Sequence, residues 1–312
     1  MSAQAAHPLG TTPGRTIVDA HHHLWDPAVN YHPWLCDPAP VAFRYGDYSA
    51  LRRRYLAADY RADAAPYRIA ASVYVETEWD PNDPTGEMDY VASLIAAGPL
   101  PSVAVAQAWL DRDDAAKVLE SHANRGFVRS VRHKPRANAA PRDGAPGGMT
   151  DARWRAGFAR LAPLGLRFDL QTPWWHLGEA RRLAEDYAGT TIILNHTGLP
   201  ADRSAEGLAG WRAAMADLAG APNVMVKISG IGQPGQPWTV AANRDIVLTT
   251  IDLFGADRCM FASNFPVDGL CASFSTIFDG FSTIVAGFST DEQEALFAAN
   301  ARRIYAIGGS HG

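Results

Sequence analysis

The chain has 312 residues, of which 47% are hydrophobic, and a formal net charge of −5, as expected for a globular protein with a large core. Its charges form no basic stripe that could follow a nucleic acid, and no apolar run is long enough to span a bilayer. Three cysteines, Cys36, Cys259 and Cys271, form no CxxC pair, which predicts reduced thiols in a cytoplasmic protein.

Residues 1–15 lack the positive start and apolar stretch of a secretory signal and are predicted to be a flexible tail. From residue 16 to residue 312, short β-branched runs alternate with longer amphipathic stretches and no linker intervenes, which predicts one domain of βα units. The predicted strands are Thr16–Ala20, Ile69–Val75, Ser102–Ala106, Phe127–Val131, Leu166–Leu170, Thr191–Leu194, Asn223–Ile228 and Arg258–Ala262. The predicted helices include Asp113–Ala123, Asp151–Leu161, Leu177–Tyr187, Leu208–Leu218, Asn243–Phe254 and Asp291–Tyr305, the last with Thr290 as its N-cap.

Eight βα units in a chain of this length predict an α/β fold of the closed (β/α)8 TIM-barrel type. An open, doubly wound sheet would require a glycine-rich phosphate-binding turn after its first strand, and this chain has histidines there. Two long segments, Trp25–Tyr60 and Pro135–Gly148, follow strand ends on the side where barrel enzymes build their sites. The first is predicted to form part of the pocket wall and the second a mobile lid or edge.

The first predicted strand ends in Asp19-Ala-His21-His22-His23. Residues two apart on a strand point the same way, so Asp19, His21 and His23 are expected to share one face and His22 the other. Two imidazoles side by side at the end of a barrel strand can bind a divalent metal or polarise a carbonyl group. His21 and His23 are therefore candidate catalytic residues and candidate metal ligands.

Two later strand ends add further candidate catalytic residues. His196 ends a buried strand just before Gly198, and Asn264 ends the eighth strand with Asp268 in the loop that follows. The rim of the same barrel end carries charged, polar and aromatic side chains, which predict a site for a small anionic substrate. The candidate substrate-binding residues are Glu76, Arg132, Lys134, Gln171, Trp174 and Lys227.

Together these segments resemble the amidohydrolase-related (amidohydrolase 2) branch of the amidohydrolase superfamily, close to L-fuconolactonase-like and 2-pyrone-4,6-dicarboxylate lactonase-like enzymes. The resemblance runs from Ile17 to about Tyr305. It is most specific at Asp19–Trp25 and Leu194–Gly198, with support from Lys227–Gly230 and Ser263–Pro266. It implies a distorted TIM barrel that hydrolyses a carboxylic ester bond within a ring.

The chain departs from this family at two positions. Asn264 stands where the eighth strand of many members ends in an aspartate that takes the proton from water, and Gln171 lies near an expected histidine. His21 and His23 alone are too few ligands for a catalytic zinc. A bound zinc or manganese ion and metal-free catalysis, as the resemblance implies for some lactonases, are both left open.

The predicted function is hydrolysis of a lactone: a sugar lactone, a muconolactone or a pyrone carboxylate. His196 is expected to orient the substrate or stabilise the oxyanion, and Asp268 or Glu76 to activate water. The alternatives are a metal-dependent non-oxidative decarboxylase of an aromatic or unsaturated acid, and a catalytically inert barrel that binds a small acid. The aromatic residues of Trp25–Tyr60 can equally face a partner subunit, so a homo-oligomer is an open alternative to a monomer.

Overall fold

A computed structural model of the chain describes residues 15–65 and 67–308. All eight predicted strands are present, and they pair in chain order as one parallel sheet. The strands are β1 (Thr16–His22), β2 (Arg68–Val75), β3 (Val103–Gln107), β4 (Val128–Arg132), β5 (Arg167–Leu170), β6 (Ile192–Leu194), β7 (Val224–Ile228) and β8 (Cys259–Phe261). Just beyond β8, the backbone N–H of Asn264 donates to the carbonyl of His21 at 2.8 Å, and the N–H of His23 donates to the carbonyl of Phe265 at 2.8 Å. These bonds join the last strand to the first, so the predicted (β/α)8 barrel is confirmed.

Helices follow the strands as predicted, with changes at their ends. They are α1 (Pro33–Cys36), α2 (Ala57–Ala64), α3 (Gly86–Ala97), α4 (Ala115–Ala123), α5 (Ala152–Phe158), α6 (Leu177–Asp186), α7 (Ala205–Ala219), α8 (Val240–Phe254), α9 (Phe274–Ile284), α10 (Thr290–Glu294) and α11 (Asn300–Ile304). The N-cap of α10 is Ser289, because its hydroxyl accepts from the N–H of Glu292 and the Glu292 carboxylate accepts from the N–H of Ser289. The prediction of Thr290 as the N-cap was therefore wrong by one residue. A π-helical turn at Ala295–Ala299 joins α10 to α11.

The barrel interior is filled by small and branched side chains from alternate strand positions. This buried cluster contains Val18, Ala20, Ala71, Val73, Val75, Val103, Val105, Ile193, Met260 and Ala262. Ile304 and Tyr305, at the C-terminal end of the chain, pack into the same cluster, and the Tyr305 hydroxyl reaches the carboxylate of Asp169 at 2.9 Å. The last helix therefore closes the end of the barrel opposite the strand ends that carry the histidines.

An irregularity in β1 directs the histidines of the first motif. The register between β1 and β2 shifts between Asp19 and His22, which is a bulge-like break in the alternation of side chains. Asp19 accepts a hydrogen bond from Tyr60 at 2.7 Å, and the ring of His22 stacks on the same tyrosine at 4.4 Å. Asp19 and His22 thus share a side and His21 and His23 share the other. The expectation that Asp19 lies on the face of His21 and His23 was wrong, because the bulge interrupts the two-residue period.

The two long segments cover the mouth of the barrel. In the first, the ring centroids of Trp25 and Trp34 lie 5.4 Å apart and those of Trp34 and Phe43 5.7 Å apart, forming a packed aromatic wall. The second contains a 3-10 turn at Pro141–Asp143 and ends where another one, Gly148–Thr150, begins.

Residues 1–14 of the predicted tail lie outside the described residues. Arg15 itself donates to Gln293 at 2.8 Å and covers the ring of Phe297, so it is anchored to the body of the barrel. Within the described part of the chain, no helix has the length and apolar character needed to cross a membrane.

Candidate active site

Three histidine rings lie together beyond the C-terminal ends of β1 and β6. Nε2 of His21 is 3.3 Å from Nε2 of His23, and the ring centroids of His21 and His196 are 4.8 Å apart. All three side chains are buried. The structure therefore brings together two histidine motifs that are separated by more than 170 residues in the sequence.

Hydrogen bonds at the outer side of the cluster fix the roles of two polar atoms. Nδ1 of His23 donates to the carbonyl of Val75 at 2.8 Å, so Nε2 of the neutral ring is an acceptor. The Asn264 amide donates through Nδ2 to Oδ1 of Asp268 at 2.7 Å, which leaves its Oδ1 3.3 Å from Nε2 of His23. Two acceptor atoms thus lie side by side, and a group that donates to both, or a cation that binds both, can sit next to the pair.

The same atoms have the spacing of metal ligands. Ligands at 2.0–2.1 Å from a tetrahedral zinc are about 3.3 Å apart, and both the His21–His23 and the His23–Asn264 separations are 3.3 Å. Among the described residues, no group of three or more His, Cys, Asp or Glu side chains is placed to hold a metal ion. At this site the third donor is the amide oxygen of Asn264. These two separations suit a divalent ion bound by three neutral ligands, His21, His23 and Asn264, with Val75 and Asp268 orienting two of them.

Burial keeps the three histidines uncharged. It lowers the pKa of His21, His23 and His196 well below the ordinary value, because the charged imidazolium would lose its hydration. Neighbouring cations act in the same direction: Lys227 lowers the pKa of His21, and Arg44 that of His196. At neutral pH the cluster therefore offers lone pairs and neutral N–H donors, and no positive charge of its own.

Asp268 is a buried anchor beneath the pocket. Its Oδ1 accepts from the Tyr45 hydroxyl at 2.8 Å as well as from Asn264, and its Oδ2 accepts from the N–H of Gly230 at 2.9 Å. Arg44 lies farther away, with Nη2 at 3.5 Å from Oδ1. Because three closer donors occupy this carboxylate, its geometry favours positioning Asn264 over abstracting a proton from water. The predicted role of Asp268 as a base remains a prediction.

The backbone around the site is held in unusual conformations. His196 and Asn264 have positive φ values of 56° and 54°, which non-glycine residues adopt only when their surroundings fix them. Gly230 has a φ of 60°, and a β-carbon there would lie 2.6 Å from Nδ1 of His196 and 2.7 Å from Nη2 of Arg44. A glycine is required at position 230 so that the imidazole and the guanidinium can both approach the β7 end.

A cavity of about 290 Å³ opens above this floor. Its wall contains the aromatic residues Trp25, Trp34 and Phe43 on one side. On the polar side, Arg132 forms a buried ion pair with Glu76 and donates to Gln171 at 3.1 Å. At the rim, Lys134 pairs with Glu78. Most cations of the wall therefore already have an anionic partner.

The predicted site residues fall into three places. Those that line the cavity are His23, Glu76, Arg132, Lys134, Gln171, His196 and Asn264. His21, Asp268 and Lys227 lie beneath it, with the Lys227 ammonium fully buried and 2.6 Å from Asp169. Trp174 lines a second cavity beside the first. Lys227 therefore cannot contact a ligand in the cavity as the site stands, and its predicted substrate-binding role is unsupported by its position.

Sequence reasoning missed Arg44, Tyr45 and Ser229. Arg44 lines the cavity, Tyr45 supports Asp268, and the Ser229 hydroxyl lies 2.9 Å from Nδ1 of His196. Ser229 directly follows β7, so its place at a strand end was a usable signal. Arg44 and Tyr45 lie within the long first segment, where no periodic pattern indicates which side chains turn inward.

Comparison with known proteins gives consistent results. The family model described as Amidohydrolase matches residues 18–307. The uncharacterized protein y4mH of Sinorhizobium fredii is 39% identical over 298 residues, covering 93% of this chain and 98% of that protein. An L-fucono-1,5-lactonase of Burkholderia multivorans is 26% identical, covering 94% of this chain and 97% of that enzyme.

Solved structures agree with the fold. Two crystal structures of an amidohydrolase from Burkholderia multivorans superpose with TM-scores of 0.76 and 0.77, at 25% and 24% identity. Both alignments cover 94% of this chain and all of that one. The first of these crystals contains HEPES and the second contains zinc.

Proposed function

This chain belongs to the amidohydrolase family, and we propose that within it the protein is a hydrolase that opens a lactone, the cyclic ester of a hydroxy acid. Water adds through its oxygen to the carbonyl carbon, and the bond from that carbon to the ring oxygen breaks. The ring oxygen takes up a proton, and the new carboxylic acid releases one at neutral pH. Each turnover therefore yields one hydroxy acid anion and one proton.

His196 is the residue we assign to the carbonyl oxygen. It lines the cavity, and in this proposal the Ser229 hydroxyl, 2.9 Å from Nδ1, donates to that nitrogen, so that the ring proton is on Nε2. Burial lowers the pKa of His196, so the ring does not take up a second proton and stays neutral. Its single N–H then donates a hydrogen bond to the oxyanion as negative charge develops. Its fixed backbone conformation holds the donor in place before the reaction begins.

Glu76 is the residue we assign to the water proton. The carboxylates that line the cavity within the described part of the chain are Glu76 and Glu78, and Glu78 lies at the exposed rim in an ion pair with Lys134. Glu76 lies deeper and is held by Arg132 and by the N–H of Glu78 at 2.7 Å. Asp268 does not line the cavity and acts through Asn264 in this scheme.

His21, His23 and Asn264 would hold a divalent ion such as zinc or manganese, which when bound supplies a Lewis acid for the carbonyl oxygen or the attacking water. Asp268 keeps the amide oxygen of Asn264 turned toward Nε2 of His23, and the Val75 carbonyl keeps the proton of His23 on Nδ1. Both contacts leave lone pairs directed into the same space, where they can equally orient a water molecule by accepting its two hydrogens.

The observation that carries the proposal is the convergence of these acceptor atoms with the neutral His196 at the floor of a cavity that carries a carboxylate on its wall. Ester hydrolysis needs a held water, a proton acceptor and an oxyanion donor within one pocket. The resemblance over most of the chain to an L-fucono-1,5-lactonase supports a cyclic ester as the substrate.

The test is proton release from sugar lactones, muconolactones and pyrone carboxylates, using metal-stripped protein with and without added zinc or manganese. Stereoselective proton release above the uncatalysed rate is expected. His122→Gln is the matched control for substitutions of His196, because His122 is a buried histidine outside the cavity. Metal dependence that is lost in His21→Ala would identify the ion's ligands.

The absence of proton release from every lactone of the panel, with and without metal, would contradict the proposal. Carbon dioxide release from an aromatic or unsaturated acid would then support the decarboxylase alternative. Activity that appears only in Asn264→Asp would support the inert barrel, because restoring a carboxylate at that position would have created a function that the natural chain lacks.

A further inference from the structure

A second cavity, of about 380 Å³, lies beside the first and shares two lining residues with it, Arg44 and Leu199. Its walls are mainly apolar and come from the loops after β4, β5, β6 and β7. They include Pro141, Trp174, Trp175, Pro200, Ile231 and Pro234. The two cavities therefore meet at the guanidinium of Arg44, beside the proposed oxyanion donor.

The walls of the second cavity are built before any ligand arrives. The ring of Trp174 lies against α7 where Gly210 leaves room, since a β-carbon at position 210 would come within 2.5 Å of it. The Trp175 indole donates to the carbonyl of Asn138 at 3.1 Å, and the two indoles meet edge to face at 5.6 Å. Fixed aromatic walls of this kind suit a flat apolar group.

Some polar groups of the second cavity already bond within the protein, whereas Nε of Arg203 is buried without a partner among the described residues and Asp202 is exposed. Arg203 donates to the carbonyl of Ile231 at 2.7 Å, and Asp202 accepts from the N–H of Ser204 at 2.9 Å. Burying a polar group of a ligand there without a partner would cost free energy. Because most of its lining side chains are apolar, the second cavity favours an apolar part of a ligand over a hydroxylated one.

Arg44 differs from the other cations in and beneath the first cavity in its pairing. Arg132, Lys134 and Lys227 each form a close ion pair with a carboxylate. The contacts of Arg44 with Asp268 and with the Gly230 carbonyl are long, at 3.5 and 3.4 Å, and its side chain is 26% exposed. Its guanidinium lies over the ring of Tyr45 at 4.5 Å and keeps donors free for a new acceptor.

From these observations we infer that the substrate is an amphipathic lactone, with an anionic group bound by Arg44 and a flat apolar substituent in the second cavity. This inference rests on the proposed lactone hydrolysis and adds the substrate class. The lactone ring lies in the first cavity above His196, and the apolar substituent extends past Leu199 between the tryptophans. A substrate of this kind is an aryl- or alkyl-substituted lactone carboxylic acid.

The test uses four lactones on one ring: unsubstituted, carboxylated, phenyl-substituted, and carrying both groups. In the wild-type protein the carboxylate is expected to raise kcat/KM about 10- to 100-fold, the range of a charge-assisted hydrogen bond. The phenyl group is expected to raise kcat/KM about 10-fold or more, because its apolar area is buried. Both the carboxylate and the phenyl group should act mainly by lowering KM. In Arg44→Gln the ratio of kcat/KM for the carboxylated lactone to kcat/KM for the neutral lactone should fall to about 1. Arg44→Lys should retain part of the preference for the carboxylate.

Ala140→Trp tests the second cavity. Ala140 lines it and has an extended backbone that any residue can adopt. The indole should fill the cavity and remove the preference for phenyl while leaving the preference for the carboxylate. Ala145→Trp, an exposed position in the same loop outside the lining, is the matched control and should keep both preferences.

The outcomes separate the two levels of the argument. The inference is overturned, and the proposed function stands, if the wild-type protein hydrolyses lactones with no preference for either group. The same holds if Arg44→Gln lowers kcat/KM equally for all four lactones. If no lactone is hydrolysed, the proposed function fails. Calorimetric binding of the four matching cyclic ethers then tests the inference by itself, and equal Kd values in wild-type and Arg44→Gln protein would refute it.

Discussion

Replacing Lys227 by Met should destabilise the fold and leave substrate affinity almost unchanged. Lys227 and Asp169 are both fully buried and 2.6 Å apart, and removing the ammonium leaves a carboxylate without a charged partner. Hydrogen bonds from the Tyr305 hydroxyl, at 2.9 Å, and the Asn195 amide, at 3.0 Å, would remain. Methionine fills most of the space of the lysine stem, so packing changes little.

The loss in the free energy of unfolding has an upper limit, because the variant can avoid the unpaired charge by binding a proton. Protonating at pH 7 a carboxyl that ionises near pH 4 in the unfolded chain costs about 4 kcal/mol. That falls within the range of about 3–5 kcal/mol for breaking a buried ion pair. Above about pH 4 the unfolded chain releases this proton and the folded variant retains it, so the deficit should grow by about 1.4 kcal/mol per pH unit. Near pH 5 it should be only about 1.5 kcal/mol.

Urea unfolding of wild-type and Lys227→Met protein at pH 5, 6 and 7 measures this deficit. Lys117→Met, at an exposed position, controls for the loss of a surface lysine. The neutral double variant Asp169→Asn/Lys227→Met should recover most of the stability, because neither charge is then left alone. An unchanged free energy of unfolding at pH 7 would refute the reasoning, and a large rise in KM with normal stability would restore the substrate-binding role predicted from the sequence.

Two further predictions concern the site, and a third concerns a buried histidine outside it. His196→Asn should lower kcat about 100-fold or more with little loss of stability, since one oxyanion donor is worth on the order of 3 kcal/mol; near-normal turnover would remove His196 from the mechanism. Glu76→Gln should lower kcat more than Asp268→Asn does, and the reverse order in the same proton-release assay would make Asp268 the base. Burial lowers the pKa of His122 to about 4, so the unfolded chain binds a proton there below pH 6.5 that the folded protein excludes. Between pH 7 and pH 5, the free energy of unfolding should therefore fall by about 2 kcal/mol because of this residue. His122→Gln should remove that part of the pH dependence.

The barrel and the location of its site followed from the sequence because they depend on local patterns. β-branched runs alternate with amphipathic helices, and parallel strands bring their C-terminal ends to one rim, so His21, His23, His196 and Asn264 could be placed together. The bulge that separates Asp19 from the histidine face could not be seen, because a single extra residue in a strand leaves no compositional mark.

Burial and pairing were also beyond the sequence. Lys227 and Arg132 look alike as cations near strand ends, yet one lies under the floor and the other in the wall. Asp268 appeared to be a free loop carboxylate. Tyr45 and Gly230, distant in the sequence, saturate it with hydrogen bonds. Which charges remain available depends on such tertiary partners, and these also determine that Arg44 is the loosely held cation of the first cavity.

This charge pairing bears on which lactones can bind. The histidines are neutral, and Arg132 and Lys134 in the wall and Lys227 beneath it are closely paired with carboxylates. The polar wall therefore has little net charge to offer an incoming anion. Arg44 can compensate one negative charge by loosening a contact that is already long. A second carboxylate on the substrate would have to displace Glu76 or Glu78 from its own partner, at the cost of an unpaired buried or rim charge. The pocket therefore favours monoanionic over dianionic lactones, so within the proton-release panel the pyrone dicarboxylates should be the poorer substrates.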